Sequence, residues 1–393
     1  MPKVLVLDAN QRSALAIIRS LGRHGLEVVA GDHARNSLGG ASRYAATSVR
    51  YSDPAVSPRR FLDEITDIVN RLAIDVIMPA TDLTTMLLVS QSDFRKNVHL
   101  ATTSRASYEA LTDKARLFEL ADRLAVRIPQ TRTVHSREAL RDVADEFGFP
   151  VVLKPARSRY LKGGQIISSR VEIARSRTEL DAIIQSMTWF EDIPCLVQRF
   201  IDGHGAGVFA LYGALGPIAW FAHRRLREKP PTGGVSVLCE SAAIDPAMQS
   251  AAATLLSAVG WTGVAMVEFR VSSDGTPHLM EVNGRFWGSL QLAIDCGVDF
   301  PWLLYQHAQG LPVTGPPDYA VGSRLRWLLG DLDSLLIELK QRSLGSDRKA
   351  HAVGAFLGSF TDMHCQQEIL RLHDPRPGIL ELRQWLRQLW RKD

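Results

Sequence analysis

Residues 263–289 read GVAMVEFRVSSDGTPHLMEVNGRFWGS, and two short, mainly apolar runs within them, 264–271 and 278–282, restrict the fold more than any other stretch of the chain. Ser-Ser-Asp-Gly-Thr-Pro separates the runs, so a β-hairpin with a Gly-containing loop is expected. Each run carries one carboxylate. On adjacent strands Glu268 and Glu281 lie across from each other, and Asn283, two residues beyond Glu281, shares their face because strand side chains alternate. Two carboxylates and an amide oxygen form an oxygen-only set of the kind that suits Mg²⁺ carrying nucleotide phosphates. Arg285 continues the alternation and adds a fixed cation. A surface hairpin would carry the same residues as solvated charges, and the segment alone leaves both readings open.

The chain has 393 residues, 46% hydrophobic and 22% charged, enough for two or three domains around a shared cleft. Its net charge of +4, with no long basic run and no aromatic-basic module, argues against nucleic acid as a partner. Cys195, Cys239, Cys296 and Cys365 form no CxxC pair, which fits reduced thiols in a cytoplasm rather than a disulfide framework or a zinc site. The opening MPKVLVLDAN is too short an apolar run for a signal peptide and reads as a first strand. Residues 246–267 carry no charge over a length that could span a bilayer. Polar and small residues dilute them, however, and Gly-Trp-Thr-Gly breaks them into a helix followed by a strand.

The first hundred residues alternate strand and helix: strands at 3–8, 26–32 and 75–79, helices at 13–24 and 61–72, and hence a small parallel sheet with flanking helices. After Asp8 the chain reads Ala-Asn-Gln-Arg-Ser where GxGxxG would mark a dinucleotide site, so none is expected. Asp8, Asp32 and Asp82 follow strand ends, where open α/β sheets place ligand contacts and where helix caps also occur.

Beyond Leu111 the pattern changes. Asp113-Lys114 precedes a helix at 115–124, a second helix is expected at 136–146, and the strand 149–156 carries Lys154 before a loop containing Gly163 and Gly164. A lysine at the end of an apolar strand suits phosphate oxygens in a dry cleft, and paired glycines suit a backbone lid over them, or a plain hairpin turn. The strand 195–203 runs into a turn and could present its backbone to a flat heterocycle. Residues 223–234, HRRLREKPPTGG, read as a basic loop suited to phosphates or an anionic substrate.

Taken in order, DK, VVLKP, the Gly-Gly loop, VQRFI, HRR…PTGG, VEF and MEVNGR give residues 1–315 a resemblance to the ATP-grasp superfamily, in the arm of biotin carboxylase and carbamoyl-phosphate synthetase. The resemblance implies an α/β fold with α+β lobes: an N-terminal Rossmann-like domain at 1–105 and an ATP-grasp domain at 106–318 with a lid at about 127–200, which leaves 319–393 as a mainly helical C-terminal extension. The resemblance also implies that Lys114 and Lys154 contact ATP phosphates, that Gly163 and Gly164 lie in a mobile loop over the triphosphate, and that Gln198, Arg199, Phe200 and Ile201 form the strand reading adenine. Glu268, Glu281 and Asn283 match positions that hold Mg²⁺, for which Mn²⁺ can substitute, and Arg285 matches an arginine that steadies an acyl phosphate. Gln198 stands where a glutamate is usual, and His204-Gly205-Ala206 replaces an acidic ribose ligand.

The implied reaction is ATP-dependent joining of a small-molecule carboxylate to an amine through an acyl phosphate, with Lys154 and Arg285 catalytic and Arg224 or Arg225 on the substrate. A small-molecule kinase and a non-catalytic nucleotide-sensing module are the alternatives. The resemblance does not reach the last part of the chain, where helices are expected at 324–339 and 379–390. The second sets Leu382, Leu386, Leu389 and Trp390 along one stripe, with Arg383, Arg387, Arg391 and Lys392 opposite. Such a helix packs on its own domain or on a second copy in a homodimer, or lies on an anionic membrane; packing on its own domain or a second copy is the expectation.

Overall fold

Strands Lys3–Val6, Glu27–Asp32 and Val76–Met78 are almost continuously apolar because both faces of their sheet are covered by helices. In the computed structural model, which describes residues 2–91, 98–231, 233–341, 345–362 and 364–389, they form a parallel sheet. Thr47–Arg50 and His99–Leu100 complete it as edges, in the order 47–50, 27–32, 3–6, 76–78, 99–100. The two edge strands escape sequence reading because they are short and carry little apolar pattern.

Two of the strand-end carboxylates are structural. Asp8 accepts from Ala80 N and Thr84 Oγ1, at 3.1 and 2.6 Å, and Asp32 accepts from Asn10 N and Ala34 N, both at 2.7 Å. Asp82 instead reaches another part of the chain, as described below.

Thr131–Val134, Val151–Pro155, Glu172–Ala174 and Cys195–Arg199 make a small antiparallel sheet. Helices Arg137–Phe147 and Arg177–Ser186, capped by Ser136 and Ser176, cover it around a separate core that includes Leu140, Leu153, Leu180 and Val197.

A seven-stranded sheet carries the rest. Its order is Pro277–Asn283, Gly263–Ser272, Gly203–Gly213, Gly216–Lys229, Val235–Ser241, Arg324–Arg326, Cys365–Gln367, antiparallel except for the last pair. The expected basic loop at 223–234 is thus a strand as far as Lys229, with the turn confined to 230–234; Thr232 lies outside the described residues. Neighbours on both sides satisfy its backbone, and each cation finds a carboxylate: Arg224 pairs with Glu240, Arg225 with Glu268, Arg227 with Asp331 and Lys229 with Asp333. Likewise 324–339 is a strand, Arg324–Arg326, before the helix Leu328–Lys340, because the open edge of Val235–Ser241 supplies pairing partners. The segment 246–267 divides as expected, into the helix Pro246–Ala258 and the strand Gly263–Ser272. Among the described residues no helix is long and apolar enough to cross a membrane, and all four cysteines are unpaired.

The C-terminal part folds back onto the first domain. Arg19, on the helix Arg12–Arg23, has a buried guanidinium that donates to the Asp374 carboxylate at 2.9 Å and to the carbonyls of Glu368 and Ile369 at 3.0 and 2.7 Å. Asp374 also accepts from Ser42 Oγ at 2.7 Å and Arg43 N at 2.9 Å. Breaking one side of such a pair strands a buried charge. Arg19→Met is therefore expected to cost about 3–5 kcal/mol in urea unfolding, and Arg19→Met/Asp374→Leu to recover part of it; a single-variant loss well under about 1 kcal/mol would show that the tether is not structural.

Candidate active site

The hairpin Gly263–Ser272/Pro277–Asn283 forms in the expected register: Glu268 pairs directly with Glu281 and Met266 with Asn283, with an irregularity after Glu268. Cross-strand partners have Cβ atoms about 5 Å apart, so the two carboxylates are held together by the backbone whatever their mutual repulsion. Asn283 Nδ2 donates to Glu268 Oε1 at 3.0 Å and to Glu281 Oε1 at 3.3 Å, which places an N–H dipole between them. Exchanging that amide nitrogen for its oxygen turns the trio into three oxygen ligands. The donor set therefore fits a hard divalent cation.

Neighbouring cations tune the two acids differently. Burial, and then the charge of Glu281, raises the Glu268 carboxyl above its usual range, against the pull of Arg225, whose Nη2 lies 2.8 Å from Glu268 Oε2. Burial acts on Glu281 in the same direction, but Lys114 and Lys154 outweigh it and hold this carboxyl below its usual range. Arg225 reaches Glu268 across an intervening strand. Gly205 and Gly207 of that strand present no side chain in its way, and Gly207 sits between Glu268 and His223 in the pairing.

The two lysines come from different elements. Asp113 caps the helix Lys114–Arg123 through Ala115 N and Arg116 N, so Lys114 enters at its first turn, and its backbone N–H donates to Ala156 O at 2.8 Å. Its Nζ is 3.1 Å from Ser158 Oγ and 3.3 Å from Glu281 Oε2. Lys154, on the strand Val151–Pro155, is buried over the Phe118 ring. Burial lowers its ammonium to about 8, with Glu281 opposing the shift.

Arg285 leaves the hairpin toward the first domain. Its Nε donates to Asp82 Oδ2 at 3.0 Å, Nη1 to Phe286 O at 2.9 Å and Nη2 to Asn283 Oδ1 at 3.3 Å, so one guanidinium links Asn283 to the end of the parallel sheet. Burial works against its charge, and Asp82, Glu268 and Glu281 more than compensate. Beside it opens a cleft of about 1260 Å³, lined among others by Asp82, Tyr108, Lys114, Arg159, Glu281 and Arg285. Asp82 and Tyr108 were not among the expected site residues. Asp82 carried a partial signal, its place after a strand, but Tyr108 had none.

The remaining expected residues are distributed around this centre. Gly163 and Gly164, at φ +58° and +80°, form the two-residue turn of the hairpin Arg159–Lys162/Gln165–Ser168, where both positions need positive φ. That hairpin is tied back to Asp192 through Tyr160, at 2.7 Å, and Lys162. Gln198 is buried and donates from Nε2 to Thr131 Oγ1 at 2.9 Å. Arg199, Phe200 and Ile201 run from the small sheet into the large one. Arg224 stands apart, paired with Glu240 beside Arg324, and only its neighbour Arg225 faces the carboxylates. His223, missed as a site residue, lies under the centre with Nε2 2.8 Å from Ser289 Oγ, stacked on Phe209 and kept neutral by burial, which lowers it to about 3.

Residues 113–206 match the family described as carbamoyl-phosphate synthase L chain, ATP binding domain, and residues 194–330 the family described as ATP-grasp in the biosynthetic pathway with Ter operon. The formate-dependent phosphoribosylglycinamide formyltransferase of Bordetella pertussis is 28% identical over 174 residues, 44% of this chain and 41% of that protein. A D-alanine-D-alanine ligase of Anaeromyxobacter sp. is 31% identical over 176 residues, 42% of this chain and 54% of the ligase. The chain thus spans about half, or less, of the length of these curated relatives. An N5-carboxyaminoimidazole ribonucleotide synthetase, solved as its ADP complex, shares the fold with a TM-score of 0.66 over 91% of this chain and 96% of that one, at 13% identity. The two matched segments fall on the small sheet and on the hairpin that carries the carboxylates, so residues 113–330 are similar to ATP-grasp domains.

Proposed function

We propose that this chain is a Mg-ATP-dependent ligase that converts a small-molecule carboxylate into an acyl phosphate and passes the acyl group to an amine, releasing ADP and phosphate. The observation that carries the reading is the convergence on one hairpin of the Glu268–Glu281–Asn283 oxygen set, Lys114 and Lys154 beside Glu281, and Arg285, with Lys114, Glu281, Asn283 and Arg285 all lining one cleft. A carboxylate resists nucleophiles because of its charge and its poor leaving group. Phosphorylation removes both obstacles.

Glu268, Glu281 and Asn283 would hold the divalent cation, which supplies charge neutralisation on the transferring phosphoryl group. Lys114 and Lys154 would hold the phosphates of ATP, with the hairpin around Gly163 and Gly164 covering them and excluding water. The connection from Gln198 to Ile201 would carry the adenine. Arg285, aimed by Asp82, would orient the acceptor carboxylate and then the acyl phosphate, and Arg225 would shift from Glu268 toward the phosphoryl oxygens. The relative described as a D-alanine-D-alanine ligase supports a ligase reading at the level of the family.

Three outcomes test it. With Mg-ATP, a panel of carboxylic acids and hydroxylamine, one acid class should yield hydroxamate, and Glu281→Ala should reduce the yield on the order of 100-fold or more; ADP without hydroxamate from every acid would point to a kinase instead. Asp82→Asn should leave ATP affinity unchanged while lowering kcat/KM for the acid about 100-fold through a misplaced Arg285, and an equal loss in ATP affinity would contradict that assignment. Lys154 is charged below pH about 8 and neutral above it. Binding of an anionic nucleotide favours the charged form, so ATP uptake should draw in a proton above pH about 8, with Kd rising up to tenfold per pH unit. Lys154→Met should flatten that slope; an unchanged slope would place the titrating group elsewhere.

A further inference from the structure

The helix Arg376–Leu389 is docked by one side only. Trp385 Nε1 donates to Asp333 Oδ1 at 2.8 Å, Gln384 Nε2 to Asn36 O at 3.2 Å, and Glu381 Oε1 accepts from Trp327 Nε1 at 2.5 Å. The opposite side keeps an apolar stripe in water: Ile379 is 47% exposed, Leu382 45%, Leu386 42% and Leu389 38%. Leu370, 48% exposed, prolongs it at the helix start, where its side chain lies against Gly378. At about 100° per residue, Arg376, Arg383 and Arg387 fall together along the edge of this stripe rather than opposite it. All three are exposed, and among the described residues none forms an ion pair. Trp390, Arg391 and Lys392, which the sequence placed on the same helix, lie outside the described residues.

We propose that this stripe is a docking surface for an anionic lipid bilayer, on which the helix lies flat with its leucines at the acyl boundary and its arginines among the headgroups. A helix of 14 residues offers a strip about 20 Å long. Apolar area and adjacent cations act together in such binding, each contribution alone being weak. The charge pattern selects the occupant. Two copies meeting stripe to stripe and antiparallel would align their unpaired arginine rows side by side along one edge of the seam, and this like-charge repulsion disfavours a homodimer there, whereas lipid phosphates pair with those arginines. The surface is distinct from the nucleotide cleft, and the inference does not depend on the ligase reading.

The test is sedimentation of the full chain with vesicles of phosphatidylcholine alone and of phosphatidylcholine mixed with phosphatidylglycerol. Binding should require phosphatidylglycerol and weaken with salt. Leu382→Gln/Leu386→Gln and Arg376→Gln/Arg383→Gln/Arg387→Gln should each reduce it at least about tenfold with thermal unfolding unchanged. If the leucine variant unfolds, the arginine variant, which alters only exposed charge, decides. Absence of binding to the mixed vesicles overturns the proposal, as does equal binding to both vesicle types. A lipid-free dimer that the leucine variant dissociates, with no vesicle binding, would overturn it in favour of an interface between copies.

Discussion

Two like charges facing each other across a pair of buried strands are the constraint on which the site depends. The backbone register sets Glu268 opposite Glu281, and neither strand can slip without turning its apolar residues out of the core. The surrounding structure answers that repulsion. Lys114 and Lys154 favour the charged form of Glu281, Arg225 that of Glu268, and the Asn283 amide sits between them. Each answering group comes from a separate element: a helix start, the small sheet, a central strand of the large sheet and the hairpin itself. The two acids are thus held in place by groups from four separate elements, which fixes where both carboxylates face.

The same logic joins the domains. Arg285 and Asp82 link the carboxylate hairpin to the end of the parallel sheet, and Arg19 and Asp374 fasten the C-terminal segment to the first helix. Both are charged pairs between regions far apart in sequence. The first borders the cleft, so the position of the N-terminal domain bears on the orientation of Arg285. The second is fully dry and remote from the cleft, and is a matter of assembly. Arg227 and Arg326 both meeting Asp331 anchor the large sheet to the C-terminal helices in the same way.

Several of these features were legible in the chain. The alternation of apolar and polar residues, with one glutamate per run and a Gly-containing turn, predicted the hairpin, its register and the shared face of Glu268, Glu281 and Asn283. Lys154 could be read from its place near the end of an apolar run, and Lys114 from the cap-like Asp113 before it. The segment 223–234 misled because its charges have no local partners; Glu240, Glu268, Asp331 and Asp333 answer them from three other elements, and only the fold brings those together. Arg224 and Arg225 show the limit most plainly. Adjacent in sequence and equivalent in composition, they point to opposite carboxylates because a strand alternates, and the direction in which it alternates is set by its neighbours.

Sequence by itself determined the local elements, the oxygen-bearing face of the hairpin and the likeness of residues 113–330 to ATP-grasp domains, because period, turn chemistry and motif order are properties of neighbouring residues. Tertiary structure decided the rest: that Asp82 aims Arg285, that His223 is neutral beneath the site, and that one side of the last helix is docked while its leucines and arginines face water. These depend on pairings across long stretches of chain, where burial and the charge of a distant partner, not the residue type, set what a side chain can do.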